Sequence, residues 1–233
     1  MRHVFLASFA CGPWQANCYL AAAAAGGECV IIDAGVEAAD GIDVLIDENA
    51  LRPAAVLATH GHIDHVASAS ELADRYGVPL WIHAADRHLL TDPAAGLGAD
   101  SRALLAELLP GPFREPVRLE LFEPGEPLVV AGLEFSVTHA PGHTEGCVLL
   151  GLPYPGHPQI RQVVFTGDVV FAGSIGRTDL PGGDPQVMQR TLAGPVLAIP
   201  DDTVLLPGHG PQTSMASERA SNPYLQPAFL RTR

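Results

Sequence analysis

Between Ala58 and Val66 the chain reads Thr59-His60-Gly61-His62-Ile63-Asp64-His65, so three imidazoles and one carboxylate fall within six positions. The apolar run 54–58 before it has the pattern of a buried strand. The run 68–76 after it reads as a helix closed by Gly77 at the C-cap and followed by Pro79. The cluster therefore occupies a strand-to-helix turn, where open α/β layers gather their chemistry. Imidazole nitrogen and carboxylate oxygen are ligands for Zn²⁺, and also for non-haem iron and manganese. His60 and His62, two apart, face the same way in extended backbone, and past the turn Asp64 and His65 are placed to face a second ion.

Composition narrows the class of molecule around that turn. With 47% hydrophobic and only 17% charged residues the chain is globular rather than disordered, and 233 residues suffice to bury a sizeable core. A formal net charge of −13 argues against nucleic acid or an anionic membrane as partner. It does not exclude a small anion beside a metal, whose own charge dominates locally. Cys11, Cys18, Cys29 and Cys147 form no Cys-x-x-Cys pair and read as reduced, partly buried thiols of a cytoplasmic protein. Arg2 followed by residues 4–10 faintly resembles a signal sequence, but Gly12-Pro13-Trp14-Gln15-Ala16-Asn17 breaks the run and a first strand is the better reading. No apolar run approaches the roughly 20 residues of a membrane helix.

Residues 4–10, 17–24 and 29–32 read as strands, and 38–49 as a helix with Ile42, Leu45 and Ile46 on one face. Residues 79–83 read as a strand, 84–90 as a short helix, 91–98 as a loop, and 101–109 as a helix stopped by Pro110-Gly111-Pro112. Residues 117–122, 128–130 and 133–138 have the pattern of a β-meander turning at Gly125 and Ala131-Gly132. Further strands are expected at 147–150, 163–166 and 203–206, and helices at 185–192, with Asp184 as N-cap, and at 215–220. Strands come in runs, helices fall between and after them, and metal-type residues recur where strands end. That organisation predicts an α/β chain of the α+β kind, two sheets packed face to face with helices outside each: a four-layer αββα sandwich in one domain over 1–233.

Three later positions share one local grammar, a strand end, small residues, then a ligand type. They are His143 after Pro141-Gly142, Asp168 after Thr166-Gly167, and His209 after Pro207-Gly208. Glycine and proline there let the backbone turn sharply and leave room for an ion. The candidate ligands are then His60, His62, Asp64, His65, His143, Asp168 and His209. Seven exceed what one tetrahedral zinc uses and suit two divalent ions sharing a carboxylate. His3, His83, His88, His139 and His157 are expected to be structural, with His139, Asp33 and Asp179 the candidates for holding the far nitrogen of a ligand imidazole.

His60-x-His62-x-Asp64-His65 with the later His143, Asp168 and His209 resembles the metallo-β-lactamase-fold hydrolase superfamily. Asn17-Cys18-Tyr19-Leu20, Pro141-Gly142-His143-Thr144, Phe165-Thr166-Gly167-Asp168, Gly176-Arg177-Thr178-Asp179 and Pro207-Gly208-His209-Gly210 are similar to the hydroxyacylglutathione hydrolase (glyoxalase II)-like branch in its short bacterial form. The similarity covers roughly residues 4–224. It implies one metal held by His60, His62 and His143 and a second by Asp64, His65 and His209, with Asp168 bridging. Zinc is the first expectation, with iron or manganese as alternatives, and Asp64 and Asp168 are the expected catalytic carboxylates. The implied reaction is cleavage of a thioester such as S-lactoylglutathione by a metal-bound hydroxide, because a bound water can reach a pKa of about 7. No Ser or Cys nucleophile is required, in keeping with the lack of a nucleophile elbow.

The implied partner is a small acyl-thiol or ester. Arg177 is a candidate substrate contact, with pairing to Asp179 as the alternative. Only 24 residues follow His209, too few for the helical C-terminal extension with which full-length glyoxalase II grips glutathione, so glutathione as part of the substrate stays open. Persulfide dioxygenases of the superfamily share Gly-Arg-Thr-Asp and use the equivalents of His60, His143 and Asp168 around one iron, and they are the main alternative. A true β-lactamase is disfavoured by the lack of a clear secretion signal and by His65, where those enzymes commonly carry Arg or Cys. Other ester hydrolases such as lactonases, and a non-catalytic metal-binding module, are the remaining alternatives.

Overall fold

Strands that are apolar on both faces need a cover on each side. Leu20, Ile31 and Val56 pack into one cluster while their neighbours Ala21, Ile32 and Leu57 pack into another, as the two-residue period of a strand requires. The computed structural model describes residues 4–98, 101–109 and 112–230. Its first sheet holds β1 (Phe5–Cys11), β2 (Ala16–Ala22), β3 (Glu28–Ile32), β4 (Arg52–Leu57), β5 (Leu80–Ile82) and β6 (Leu119–Leu121), side by side in that order. The pairs from β1 to β3 are antiparallel and those from β3 to β6 parallel.

The second sheet is built from β7 (Leu128–Val130), β8 (Leu133–His139), β9 (Val148–Pro153) and β10 (Gln162–Gly167). After a small hairpin, β11 (Val170–Phe171) and β12 (Ser174–Ile175), it is completed by β13 (Thr203–Pro207) and β14 (Thr213–Ser214). The spatial order is β14-β13-β10-β9-β8-β7, with β10 and β13 parallel.

Tyr19, Ile32 and Leu57 of the first sheet meet Phe135, Leu150 and Phe165 of the second, and the Tyr19 and Phe165 rings pack edge to face with centroids 5.3 Å apart. The outer face of the first sheet is covered through Ile42 of helix Ala38–Asn49 and Leu72 of helix Ala69–Tyr76. The outer face of the second, with Leu149, Val164 and Leu205, is covered by Met188, Leu192 and Met215. Each such fully buried Leu, Ile or Phe contributes about 1.5–3 kcal/mol relative to exposure. The four layers are the expected αββα sandwich.

Helix boundaries follow the chemistry at their ends. The Asp184 side chain accepts from the backbone N–H of Gln186 and Val187 at 2.7 and 2.9 Å, capping Pro185–Thr191. Gly77, at φ 68°, closes helix Ala69–Tyr76 in the left-handed conformation that glycine adopts without steric cost.

Two expectations are corrected. Leu119–Leu121 does not join a meander with β7 and β8; it pairs parallel to β5 at the edge of the first sheet, and the chain crosses to the second sheet afterwards. Parallel pairing leaves no mark in local alternation, so the short segments looked continuous. The expected loop 91–98 contains a helical turn, Ala94–Leu97. The helix Ser101–Leu108 is present, while Pro110 and Gly111 of its expected stop, like Arg2 and His3, lie outside the described residues. All four cysteines are buried and unpaired. Among the described residues no helix is long and apolar enough to cross a membrane.

Candidate metal centre

Four strand ends carry the candidate ligands. The turn 59–65 follows β4, His143 follows β8, Asp168 follows β10 and His209 follows β13. Neighbouring backbone bonds hold these ends together: Val148 N–H donates to the Thr59 carbonyl at 2.9 Å, Gly208 N–H to the Gly167 carbonyl at 2.8 Å, and Asn17 N–H to the Gly208 carbonyl at 2.7 Å. His62 is extended (φ −64°, ψ 145°) and a helical turn begins at Ile63, so the imidazoles of His60 and His62 precede the bend and Asp64 and His65 follow it.

All seven residues converge. His60, His62 and His143 bring one ligand atom each within 4.8 Å of one another; so do His60, His65 and Asp168, and so do Asp64, His65 and His209. Asp168 lies between the groups, with Oδ1 3.4 Å from His65 Nε2 and Oδ2 3.5 Å from both His143 Nε2 and His209 Nε2. His62 Nδ1 is 2.8 Å from His143 Nε2, and His209 Nε2 is 3.2 Å from Asp64 Oδ2. Gly208 makes the approach of Asp168 feasible, because a Cβ there would stand 2.2 Å from Asp168 Oδ1.

Hydrogen bonds behind the cluster select one tautomer for three imidazoles. The Thr59 hydroxyl donates to Asp33 Oδ2 at 2.8 Å, so at 3.2 Å it accepts from His60 Nδ1–H. His65 Nδ1–H donates to Asp33 Oδ2 at 3.1 Å, and His143 Nδ1–H donates to the Arg177 carbonyl at 2.8 Å. The Nδ1 proton of each of these rings is thus held away from the cluster, and Nε2 is the atom that faces it, the one a metal would take. His60 Nε2 and Asp168 Oδ1 are buried without a hydrogen-bond partner, the condition expected of atoms shaped to hold a cation. The nitrogen and oxygen donor set suits divalent ions.

The electrostatics agree. Burial, then the neighbouring imidazoles His65 and His143, lowers the pKa of His60 well below the usual value, and burial followed by His143 lowers His62 to about 4. Burial opposes charge on His65 as well, but Asp168, Asp64 and Asp33 outweigh it and raise that imidazole. Burial likewise works to raise Asp64 and Asp168, yet His65 and His209 keep both carboxylates below the usual range. A pocket that favours two carboxylates as anions and neutral His60 and His62 is a pocket for added positive charge.

Several supporting residues depart from expectation. Asp33 holds the far nitrogen of His65, as anticipated. His139 does not serve the ligands: its Nε2 meets the Glu145 carbonyl at 2.8 Å and its ring stacks on His83 at 4.3 Å. Asp179 pairs with Arg177, Oδ1 to Nε at 2.7 Å, and both side chains are exposed. The Arg177 guanidinium thus makes the structural pairing, although the residue lines the cavity above the cluster and its carbonyl orients His143. Asn17, singled out only as part of a motif, donates from Nδ2 to the carbonyls of Pro207 and Gly210, both at 2.9 Å, and so braces the His209 loop.

Asp86 had no sequence signal. It is buried, and its carboxylate accepts from Gly61 N–H and Gly146 N–H, each at 2.8 Å, and from the Thr144 hydroxyl at 2.7 Å. It ties the His60–His62 segment to the His143–Thr144 segment. The cluster opens into a cavity of about 390 Å³ lined also by Trp14, Ile63, Leu97, Phe171 and Leu180.

An αββα sandwich with imidazoles and carboxylates gathered from its strand ends is the scaffold of a metallohydrolase with a divalent metal site. The chain belongs to the metallo-beta-lactamase superfamily, whose family model matches residues 11–209. An uncharacterized protein of Mycobacterium tuberculosis is 40% identical over 225 residues, covering 96% of this chain and 98% of its own. Hydroxyacylglutathione hydrolase GloC of Haemophilus influenzae is 35% identical over 203 residues, covering 84% of this chain and 86% of its own. Among solved structures, the BLEG-1 B3 metallo-beta-lactamase aligns with TM-score 0.78 at 33% identity over 95% of this chain and 99% of that one. TTHA1623 in a di-iron-bound form aligns with TM-score 0.74 at 33% identity over 95% and 100%.

Proposed function

We propose that this protein is a metal-dependent thioester hydrolase, glyoxalase II-like in its chemistry, with S-lactoylglutathione as the reference substrate. It acts on a small acyl-thiol in the cytoplasm rather than on nucleic acid or a membrane. The observation that carries this reading is the convergence of five imidazoles with the carboxylates of Asp64 and Asp168, of which His62, Asp64, His143, Asp168 and His209 line an open cavity. The name and 35% identity of the Haemophilus influenzae relative support the choice of thioester.

His60, His62 and His143 would hold one ion, Asp64, His65 and His209 the other, with Asp168 between them; zinc, iron and manganese all suit these donors. Bound there, such ions lower the pKa of a water and polarise a carbonyl oxygen. The chain's own residues do the rest. Asp33 and Thr59 hold the Nδ1 protons of His65 and His60 away from the cluster, and the Arg177 carbonyl does so for His143. Ile63, Leu97 and Phe171 form apolar walls beside the floor. Overall, one water adds across the acyl C–S bond, releasing a carboxylic acid and a thiol.

One set of assays on metal-loaded protein tests the proposal: thiol release from S-lactoylglutathione, oxygen uptake with glutathione persulfide, and ring opening of a chromogenic cephalosporin. Thiol release alone supports it. Oxygen uptake without thiol release would mark a persulfide dioxygenase, and ring opening alone a β-lactamase; either would overturn it.

A further inference from the structure

The cavity's walls differ from its floor. The floor is polar, whereas Trp14, Ile63, Leu97, Phe171 and Leu180 form the sides. Trp14 is 38% exposed, and it is the exposed large hydrophobic that stands at this cavity. Phe171 is fixed from behind. Its hairpin is stapled by Glu218, which accepts from Gly173 N–H at 2.8 Å, and by Asn222, whose Nδ2 donates to the Ser174 carbonyl at 3.1 Å. The Phe171 ring meets His209 edge to face, centroids 6.1 Å apart. A wall held in place this way binds an apolar group without first having to be ordered.

Basic side chains are scarce in the same lining. The sequence contains no lysine, so all 13 basic residues are arginines, and among the described residues Arg177 is the one that lines the cavity. Both of its paired nitrogens already donate to Asp179, at 2.7 and 2.6 Å. An exposed pair of this kind is weak, so Arg177 can turn toward a ligand. It would then match one carboxylate, with Asp179 still beside it, whereas glutathione carries two carboxylates and an ammonium. Against the remaining walls a charged group loses water and gains no partner, while an alkyl or aryl group gains in proportion to the apolar area it buries.

We propose that the site selects thioesters whose thiol half is uncharged and apolar, seated against Trp14, Ile63 and Phe171, and that a glutathione tripeptide stays outside in solvent. The inference rests on the hydrolase reading of the same site. S-lactoylglutathione is then a substrate held weakly, by its acyl end.

The test has two arms on metal-loaded protein. In turnover, the lactoyl thioester of benzyl thiol is compared with S-lactoylglutathione; the expected kcat/KM is about tenfold higher for the benzyl ester, the ratio that about 1.4 kcal/mol produces. In binding, N-acetyl-S-benzylcysteamine is compared with S-methylglutathione by calorimetry, an arm that reads selectivity even where neither thioester turns over. The neutral thioether is expected to bind about tenfold tighter. Trp14→Ala should erase that preference with metal content unchanged, and Trp14→Arg should shift it toward S-methylglutathione. Equal or tighter binding of S-methylglutathione, or indifference to both Trp14 variants, overturns the inference. Loss of turnover with both esters overturns the hydrolase reading instead, and the binding ratio still decides this one.

Discussion

Asp33 Oδ2 stands 3.1 Å from Nδ1 of His65, and the same oxygen accepts the hydroxyl of Thr59 at 2.8 Å. One buried carboxylate therefore sets the tautomer of His65 directly and that of His60 through Thr59. Such partners of ligand imidazoles typically change metal affinity by about 10–100-fold. Asp33→Ala is expected to weaken binding of the first ion lost by that factor in a chelator competition, with the far-UV circular dichroism unchanged. Affinity equal to the unaltered protein would show that the contact is incidental.

Asp86 predicts a stability effect. Asp86→Ala leaves two buried backbone N–H groups and the Thr144 hydroxyl without their acceptor. Unsatisfied buried donors cost about 1–3 kcal/mol each, so urea unfolding of the metal-free variant should show a loss of about 3 kcal/mol or more. A loss below about 1 kcal/mol would mean that the His60–His62 and His143–Thr144 segments do not depend on this clamp.

These two carboxylates also mark what the sequence can and cannot disclose. The motif from His60 to His65 is legible because its ligands are local, and His143, Asp168 and His209 are legible because each follows a strand and a glycine. Asp33 was within reach as a carboxylate at a strand end. Asp86 was not: its partners are 25, 58 and 60 residues away, and at the start of a short helical run it looks like any first-turn acid. The same blindness to distant pairing put Leu119–Leu121 in the wrong sheet. His139 has the right spacing from His143 for a supporting role, but its ring is turned onto His83, a contact that spacing alone does not encode.

The lowered pKa of His62 gives a pH dependence. Burial brings its value to about 4 from the usual 6.5, so between those values the unfolded chain binds the proton and the folded one does not. The contribution of His62 to the metal-free protein is complete above pH 6.5 and is lost as pH falls toward 4, an effect of about 3 kcal/mol. His65, raised by its carboxylates, acts in the opposite sense: its contribution is present at low pH and fades as pH rises through its folded value. Proton NMR of the metal-free protein should place the His62 titration midpoint about two units or more below 6.5. A midpoint at the usual imidazole value would contradict the buried, neutral state described here.

Asp168 sits between the two groups of ligands, so its charge matters to both. Asp168→Asn keeps the side chain's size and removes that charge. Elemental analysis of the variant should find at least one ion fewer per chain than in the unaltered protein, with turnover abolished and the melting temperature of the metal-free form little changed. Full metal content with normal rates would refute the bridging position.

The central claim is that the seven converged residues make thioester cleavage depend on bound metal. It is tested most directly by stripping the protein with a chelator, adding back zinc, iron or manganese stepwise, and following thiol release from S-lactoylglutathione and from the lactoyl ester of benzyl thiol. Stripped protein is expected to release no thiol, and recovery to saturate at two ions per chain. Release that survives complete stripping, or its absence from protein holding two ions, would contradict it.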